Sequence, residues 1–171
     1  MTDKRSETCL YPFVELSDRD EYPDGTKFEV IHTHDGRGAG IRTRTPFERG
    51  ERLCKVSGQI VASRRLHTLQ INENVHLYDP HFTGLLLHSC DPNVFLNMVD
   101  MELWALKHIE PGELLTMDYA STETVLSRQF ACQCGAPNCR GWIAGSKESP
   151  HRPDGTLTAV IGDTATICEA H

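Results

Sequence analysis

The sequence predicts a mostly β domain with short helices, and two observations carry that expectation. Apolar residues come in short runs, rich in β-branched and aromatic side chains, separated by Gly, Pro, Asn and Asp turns. No long stretch shows sustained apolar spacing at the helical period. The 171 residues suffice for one domain with its own core.

Taken in order, residues 1–25 form a polar N-terminal arm with Pro12, Pro23 and Gly25, in which Leu10, Tyr11, Phe13 and Val14 are the packing candidates. Strands are expected at 28–32, 40–43 and 51–56, then, after a Ser57-Gly58 turn, at 59–62. Residues 64–69 read as one turn of helix. Residues 94–99 and 102–107 form a hairpin around Asp100-Met101. The Pro111-Gly112 turn leads into a strand at 113–117. Ser121 is placed to N-cap a short helix running to Arg128. Residues 146–171 are expected to be a flexible tail, with Val160, Ile161 and Ile167 leaving room for a short docked strand.

Net charge is 17 minus 24, or −7. Residues 1–25 carry 3 basic and 7 acidic groups and residues 145–171 carry 2 and 4, so the middle is nearly neutral. That distribution is no nucleic-acid footprint, and no nucleic-acid partner is expected. An acidic chain suits a cationic ligand, although solubility alone also explains the value. No run of about 18 apolar residues occurs, so no membrane span is expected. The N-terminus has no apolar stretch of signal-peptide length. An intracellular, reducing compartment is expected, cytoplasmic or, in a eukaryote, nuclear. There clustered Cys reads as metal ligation rather than disulfide.

Cys132-x-Cys134-x4-Cys139 places three soft ligands within eight residues, broken by Gly135 and Pro137, a pattern that suits tetrahedral zinc better than core filling. Spacing leaves the fourth ligand open among Cys90, His88, Cys54 and Cys168. A bond to Cys90 would pin the C-terminal segment against the middle of the domain. Gly36-Arg-Gly-Ala-Gly40 allows close backbone approach to a ligand but lacks the third glycine of a dinucleotide fingerprint, and alone it reads as a turn. Glu113-Leu-Leu-Thr-Met-Asp-Tyr119 ends a strand in an acid beside a phenol; alone, Tyr119 reads as a half-buried anchor. The nine His form no metal or catalytic pattern, and no Gly-x-Ser-x-Gly elbow exists.

These motifs occur together, in this order, in one family. The chain resembles the SET-domain methyltransferases, which use S-adenosylmethionine and mostly methylate lysine. Arg37-Gly-Ala-Gly-Ile-Arg42 is similar to the family's cofactor turn, and Leu87-His-Ser-Cys-Asp-Pro-Asn93 to its Asn-His-Ser-Cys-x-Pro-Asn motif. Gly112 to Tyr119 is similar to the Glu-Leu-x-x-Asp-Tyr motif, and the Cys cluster to the post-SET zinc segment. The resemblance implies a SET-type fold of small curved sheets, a C-terminal pseudoknot bringing 86–93 beside 114–119, and a zinc-bound post-SET segment. It divides the chain into the arm 1–25, a SET-like domain 26–128, a post-SET zinc segment 129–145 and the tail 146–171. It implies zinc on Cys90, Cys132, Cys134 and Cys139. It also implies a cofactor site at Gly38, Ala39, Gly40, Leu87, His88 and Trp142, with Tyr119 as the catalytic phenol. The acceptor it implies is a protein or peptide lysine.

Three positions depart from the family pattern. Leu87 replaces the Asn that bonds the cofactor, Gly84 stands where Arg is common, and Val56 stands where a Tyr lines the active site. The segment between Gly58 and Leu87, which shapes the peptide groove in the family, is short. These departures keep two alternatives open: a small-molecule amine or amino acid as acceptor, and a non-catalytic SET-like binding module.

Overall fold

A computed structural model describes residues 9–16 and 21–155. Val160, Ile161, Ile167 and Cys168, and with them the expected docked strand and most of the expected tail, lie outside the described residues. Among the described residues, twelve short strands form five small sheets: β1 Phe28–His32, β2 Ala39–Thr43, β3 Arg52–Lys55, β4 Gln59–Val61, β5 Thr68–Asn72, β6 Val75–Tyr78, β7 Leu87–His88, β8 Val94–Asn97, β9 Glu102–Ala105, β10 Thr116–Met117, β11 Phe130–Ala131 and β12 Trp142–Ile143. Helical structure among the described residues consists of three 3₁₀ turns, Val14–Leu16, Thr83–Leu85 and Tyr119–Ser121.

Each sheet follows from local sequence. β1 and β2 pair antiparallel, from Phe28 opposite Thr43 to His32 opposite Ala39. Their connection includes Gly36 and Gly38 at φ +80° and +94°, a left-handed backbone that glycine adopts without a Cβ penalty. β9 lies between β3 and β8. β8 and β9 make the expected hairpin, with Met101 at φ +54° in the turn. A second three-stranded sheet, in the order β4-β6-β5, fills the segment before residue 79. In place of a helical turn at 64–69, the chain enters strand at Thr68. Leu69 and Leu77 are buried as register partners.

β7 and β10 are two residues each and pair in parallel, Thr116 with Leu87 and Met117 with His88. Parallel pairing needs a long crossover, and here residues 89–115 supply it. This contact brings 86–93 beside 114–119, as the SET-type arrangement requires. The segment just before β10 lies along β2, with Thr43 N–H donating to the Glu113 carbonyl at 3.0 Å and Leu115 N–H to the Ile41 carbonyl at 2.8 Å. One core results, in which Phe28, Ile41, Phe82, Leu86, Leu96, Leu103, Ile109, Leu115 and Met117 are fully buried. Phe28 stacks on Phe47 with centroids 5.8 Å apart and meets Phe82 edge-on at 5.0 Å.

The expected helix from Ser121 to Arg128 does not form. Asp118, rather than Ser121, caps the short turn there, its Oδ1 accepting from Ala120 N–H at 3.1 Å. Beyond it, tertiary bonds outcompete a helix. Glu123 Oε1 accepts from Gln70 N–H at 2.7 Å, and Gln70 Oε1 accepts from Thr124 N–H at 2.9 Å and from its hydroxyl at 2.8 Å. Thr122, Thr124 and Val125 are β-branched, so little helix propensity is forfeited.

Tyr11 is the buried anchor of the N-terminal arm, and the Glu21 carbonyl adds a second tie by accepting from Lys55 N–H at 2.7 Å. Tyr11 is buried and its hydroxyl donates to Asp79 Oδ2 at 2.8 Å. Asp79 is wholly buried and also accepts from the backbone N–H groups of His81, Phe82 and Thr83 and from the Thr83 hydroxyl. The buried carboxyl group is tolerated inside because it gathers this many donors.

Candidate functional site

A cavity of about 670 Å³ opens where β7, β10 and the turn after β10 meet the glycine loop. The size falls within the range of small-molecule and cofactor sites. Gly36, Arg37, His67, Leu86, Leu87, His88, Tyr119, Glu123 and Phe130 contribute to its wall. Arg64, Arg65 and Arg128 add cationic groups, against the carboxylates of Asp35 and Glu123.

Tyr119 begins the 3₁₀ turn behind β10, and its hydroxyl donates to the Leu86 carbonyl at 2.7 Å. Desolvation pushes the phenol up to about 12, so it stays protonated at neutral pH. Its backbone N–H donates to His88 Nδ1 at 3.2 Å, which makes Nδ1 an acceptor. The rings of His88, Tyr119 and Phe130 meet edge to face, with centroids 5.2 to 5.8 Å apart. Burial draws His88 down to about 4, with Arg140 acting in the same direction and Asp118 opposing. The imidazole is therefore neutral and serves as a wall.

The remaining residues named from the sequence divide between the wall and its surroundings. Leu87 and His88 line the cavity on β7. Gly40 backs Leu87: a Cβ at Gly40 would lie 3.1 Å from Leu87 Cδ1 and 3.4 Å from Leu114 Cδ2, so glycine lets the apolar side chain seat there. Gly36 and Arg37, rather than Gly38, Ala39 and Gly40, reach the cavity wall directly. Trp142 lies on β12 outside that wall, with its indole N–H donating to Gln129 Oε1 at 2.9 Å and the Arg152 guanidinium 5.7 Å from its ring centroid.

Two departures acquire a physical account. At Gly84 a Cβ would lie 2.2 Å from the Asp79 carbonyl oxygen and 2.7 Å from His67 Cβ. No side chain fits, because His67, at φ +64°, packs there with its Nδ1 2.8 Å from the Gly84 carbonyl. Val56 is a buried core residue, and its N–H donates to the Met101 carbonyl at 2.9 Å.

The four cysteines named as a ligand set lie together. The sulfurs of Cys90, Cys132, Cys134 and Cys139 all lie within 4.8 Å of one another, and those of Cys90 and Cys132 are 3.9 Å apart. Tetrahedral zinc with bonds of about 2.3 Å separates its sulfurs by about 3.8 Å, so the donor set fits that ion in number, softness and spacing. Cys54 is buried in the core, and the His88 ring is taken up by Tyr119 and Cys90. Backbone and side-chain donors surround the cluster: Arg140 N–H reaches Cys90 Sγ at 3.3 Å and Asn138 Nδ2 reaches the Cys90 carbonyl at 2.9 Å.

Sequence reasoning missed His67, Glu123, Gln70 and Arg140. For His67 no local signal exists, since its role comes from contact with Gly84. For Arg140 the signal was adjacency to Cys139. Its guanidinium pairs with Asp118 Oδ1 at 2.5 Å.

The SET domain family model matches residues 38–120. Among curated proteins, the histone-lysine N-methyltransferase ash1 of Drosophila melanogaster is 29% identical over 136 residues, covering 66% of this chain and 6% of that protein. Set2 from the same organism is 31% identical over 137 residues, again covering 66% and 6%. SUV39H2 of Xenopus tropicalis is 26% identical over 159 residues, covering 67% and 38%. This chain thus spans a minor part of the length of those relatives. Among solved structures, the methyltransferase domain of human SETMAR superposes with a TM-score of 0.55 at 24% identity, covering 69% of this chain and 58% of that one. KRYPTONITE in complex with mCHG DNA and SAH gives 0.55 at 24%, covering 67% and 28%. These likenesses bear on the fold. The small sheets, the parallel β7–β10 contact, the four-sulfur cluster and the family match agree: residues 38–120 of this chain form a SET domain.

Proposed function

We propose that this chain is an S-adenosylmethionine-dependent N-methyltransferase whose acceptor is a protein lysine, with zinc on Cys90, Cys132, Cys134 and Cys139. The observation that carries the reading is the Tyr119 phenol, protonated and fixed on the Leu86 carbonyl at the wall of a cavity of cofactor size. The relatives, named as histone-lysine methyltransferases, support lysine as the acceptor class.

When bound, S-adenosylmethionine supplies an electrophilic methyl group. The residues of this chain bind, orient and exclude water. Gly36 and Arg37 bring the glycine loop to the cavity wall, with His88 as a neutral wall beside it. An amine must be neutral to attack, and a desolvated channel lowers the lysine pKa from about 10.4. The phenol oxygen, held at 2.7 Å on one side, orients the amine, and positioning supplies most of the rate. Trp142 closes over the cofactor only if its Gln129 bond opens. A zinc ion held by Cys90, Cys132, Cys134 and Cys139 would add fold stability, since the complete four-thiolate set comes together only in the folded chain.

Leu87 favours a second reading, a SET-like module that binds without catalysis, because an apolar side chain sits on Gly40 where the family places a cofactor-bonding Asn. Two measurements decide. Calorimetry with S-adenosylmethionine that shows no binding rejects the enzyme. Labelled methyl transfer to a panel of lysine peptides, histone tails included, run against free amino acids and polyamines, identifies the acceptor. Transfer to small amines alone rejects the protein-lysine assignment.

A further inference from the structure

Four contacts link the metal cluster to the turn that carries Tyr119. Arg140 follows the ligand Cys139, and its backbone N–H donates to Cys90 Sγ at 3.3 Å. Its guanidinium donates to Asp118 Oδ1 at 2.5 Å. That same oxygen accepts from Ala120 N–H at 3.1 Å and so caps the turn Tyr119–Ser121. Tyr119 N–H in turn donates to His88, two residues before the ligand Cys90. The contacts close a ring from Cys90 through the metal position, Cys139, Arg140, Asp118, Tyr119 and back through His88. Every link except the metal is a side-chain or backbone bond of this chain.

We propose that Arg140 is a positioning residue that transmits metal occupancy to the Tyr119 turn. The exposure of the pair decides between this role and simple stabilisation. The Arg140 and Asp118 side chains are 42% and 27% exposed, and an ion pair that open adds little to global stability. What it does is fix direction. A charge-assisted bond to a carboxylate that already caps a turn sets where that turn sits. Arg140 N–H and Asn138 Nδ2 already hold this segment against Cys90, and one ion shared by Cys90 and Cys139 would tighten that hold. Trp142 is not part of this path, since its indole is bonded to Gln129. The inference rests on Tyr119 as the orienting phenol, and a readout independent of catalysis keeps its failure distinct from failure of that assignment.

The test uses the full chain loaded with zinc. Amide hydrogen exchange is followed by mass spectrometry in the peptide spanning 118–123, alongside zinc content, S-adenosylmethionine affinity and turnover. Arg140→Ala is expected to keep a full complement of zinc and cofactor affinity within about twofold. Exchange in 118–123 should rise about tenfold or more as the turn opens, and turnover should fall about ten- to hundredfold. Arg140→Lys, which restores the charge but not the planar fork, should recover part of both. Asp118→Asn should reproduce the exchange change with zinc retained. Wild-type exchange in zinc-loaded Arg140→Ala overturns the proposal. Should Arg140→Ala lose zinc, Asp118→Asn decides, and unaltered exchange there overturns it equally. If no acceptor is ever methylated, the exchange comparison still decides whether the linkage exists.

Discussion

Replacing Tyr119 with Phe removes one oxygen atom and leaves the ring in its contacts with His88 and Phe130, 5.2 and 5.8 Å between centroids. The bond lost is the 2.7 Å donation to the Leu86 carbonyl. A neutral hydrogen bond contributes about 1 kcal/mol net, and a stranded acceptor costs about 1 kcal/mol more. Leu86 borders the cavity, so water can reach its carbonyl and the total loss should be about 1–2 kcal/mol. In a chain of this size that lowers the melting temperature by about 3–6 °C and leaves the protein folded. Turnover should fall about 100-fold or more, because the amine loses the group that sets its approach. Cofactor affinity should stay within about twofold. Thermal melting, calorimetry with S-adenosylmethionine and single-turnover methyl transfer measure the three quantities on one preparation. Turnover within about threefold of wild type refutes the role of the phenol. A turnover loss matched by an equal loss of cofactor binding refutes the claim that the hydroxyl acts on the acceptor.

The pKa of the same phenol yields a second expectation. Its folded value is raised to about 12 from 10, so the neutral form favours folding fully below pH 10, and that contribution is lost as pH rises through 12. The absorbance difference between wild type and Tyr119→Phe at 295 nm should therefore appear near pH 12, and a phenol titrating at its ordinary value would contradict it. Cys134→Ser should lower zinc content and melting temperature together, since ligation and folding are coupled; undiminished zinc by elemental analysis would remove Cys134 from the ligand set. Gly84→Ala should cost about 3 kcal/mol in urea unfolding, because its Cβ would lie 2.2 Å from a backbone oxygen. A midpoint unchanged from wild type would mean the His67 packing is not fixed. Leu87→Asn should tighten S-adenosylmethionine binding about tenfold by placing an amide where the cavity is now apolar, and an unaltered dissociation constant would show that Leu87 does not limit affinity.

Strands bounded by glycine or a tight turn were legible in the sequence, because alternation and punctuation coincide there. β1, β2 and the β8–β9 hairpin lie within a residue or two of expectation. The four-cysteine cluster was legible because three of its members are local. The β5–β6 hairpin was not, although Leu69, Ile71, Val75 and Leu77 alternate around an Asn-rich turn. Its Gln70 is also tied to Glu123 and Thr124, more than fifty residues away. The same contact erased the helix expected at Ser121. What local pattern could not reveal were pairings across more than fifty residues, such as Gln70 to Glu123 and Tyr11 to Asp79.

The sheet made of β4, β5 and β6 is bounded by two tightly packed positions. It enters at Gly58, where a Cβ would meet the Tyr78 carbonyl oxygen at 2.5 Å, and leaves at Asp79, whose buried carboxylate binds the following turn. Residues 59–78 therefore form a cassette with two rigid hinges. An engineer exchanging this segment between relatives should cut at those two positions and carry Gln70 with the graft. Without that amide, the Tyr119 turn would lose its outer brace however well the new hairpin folded.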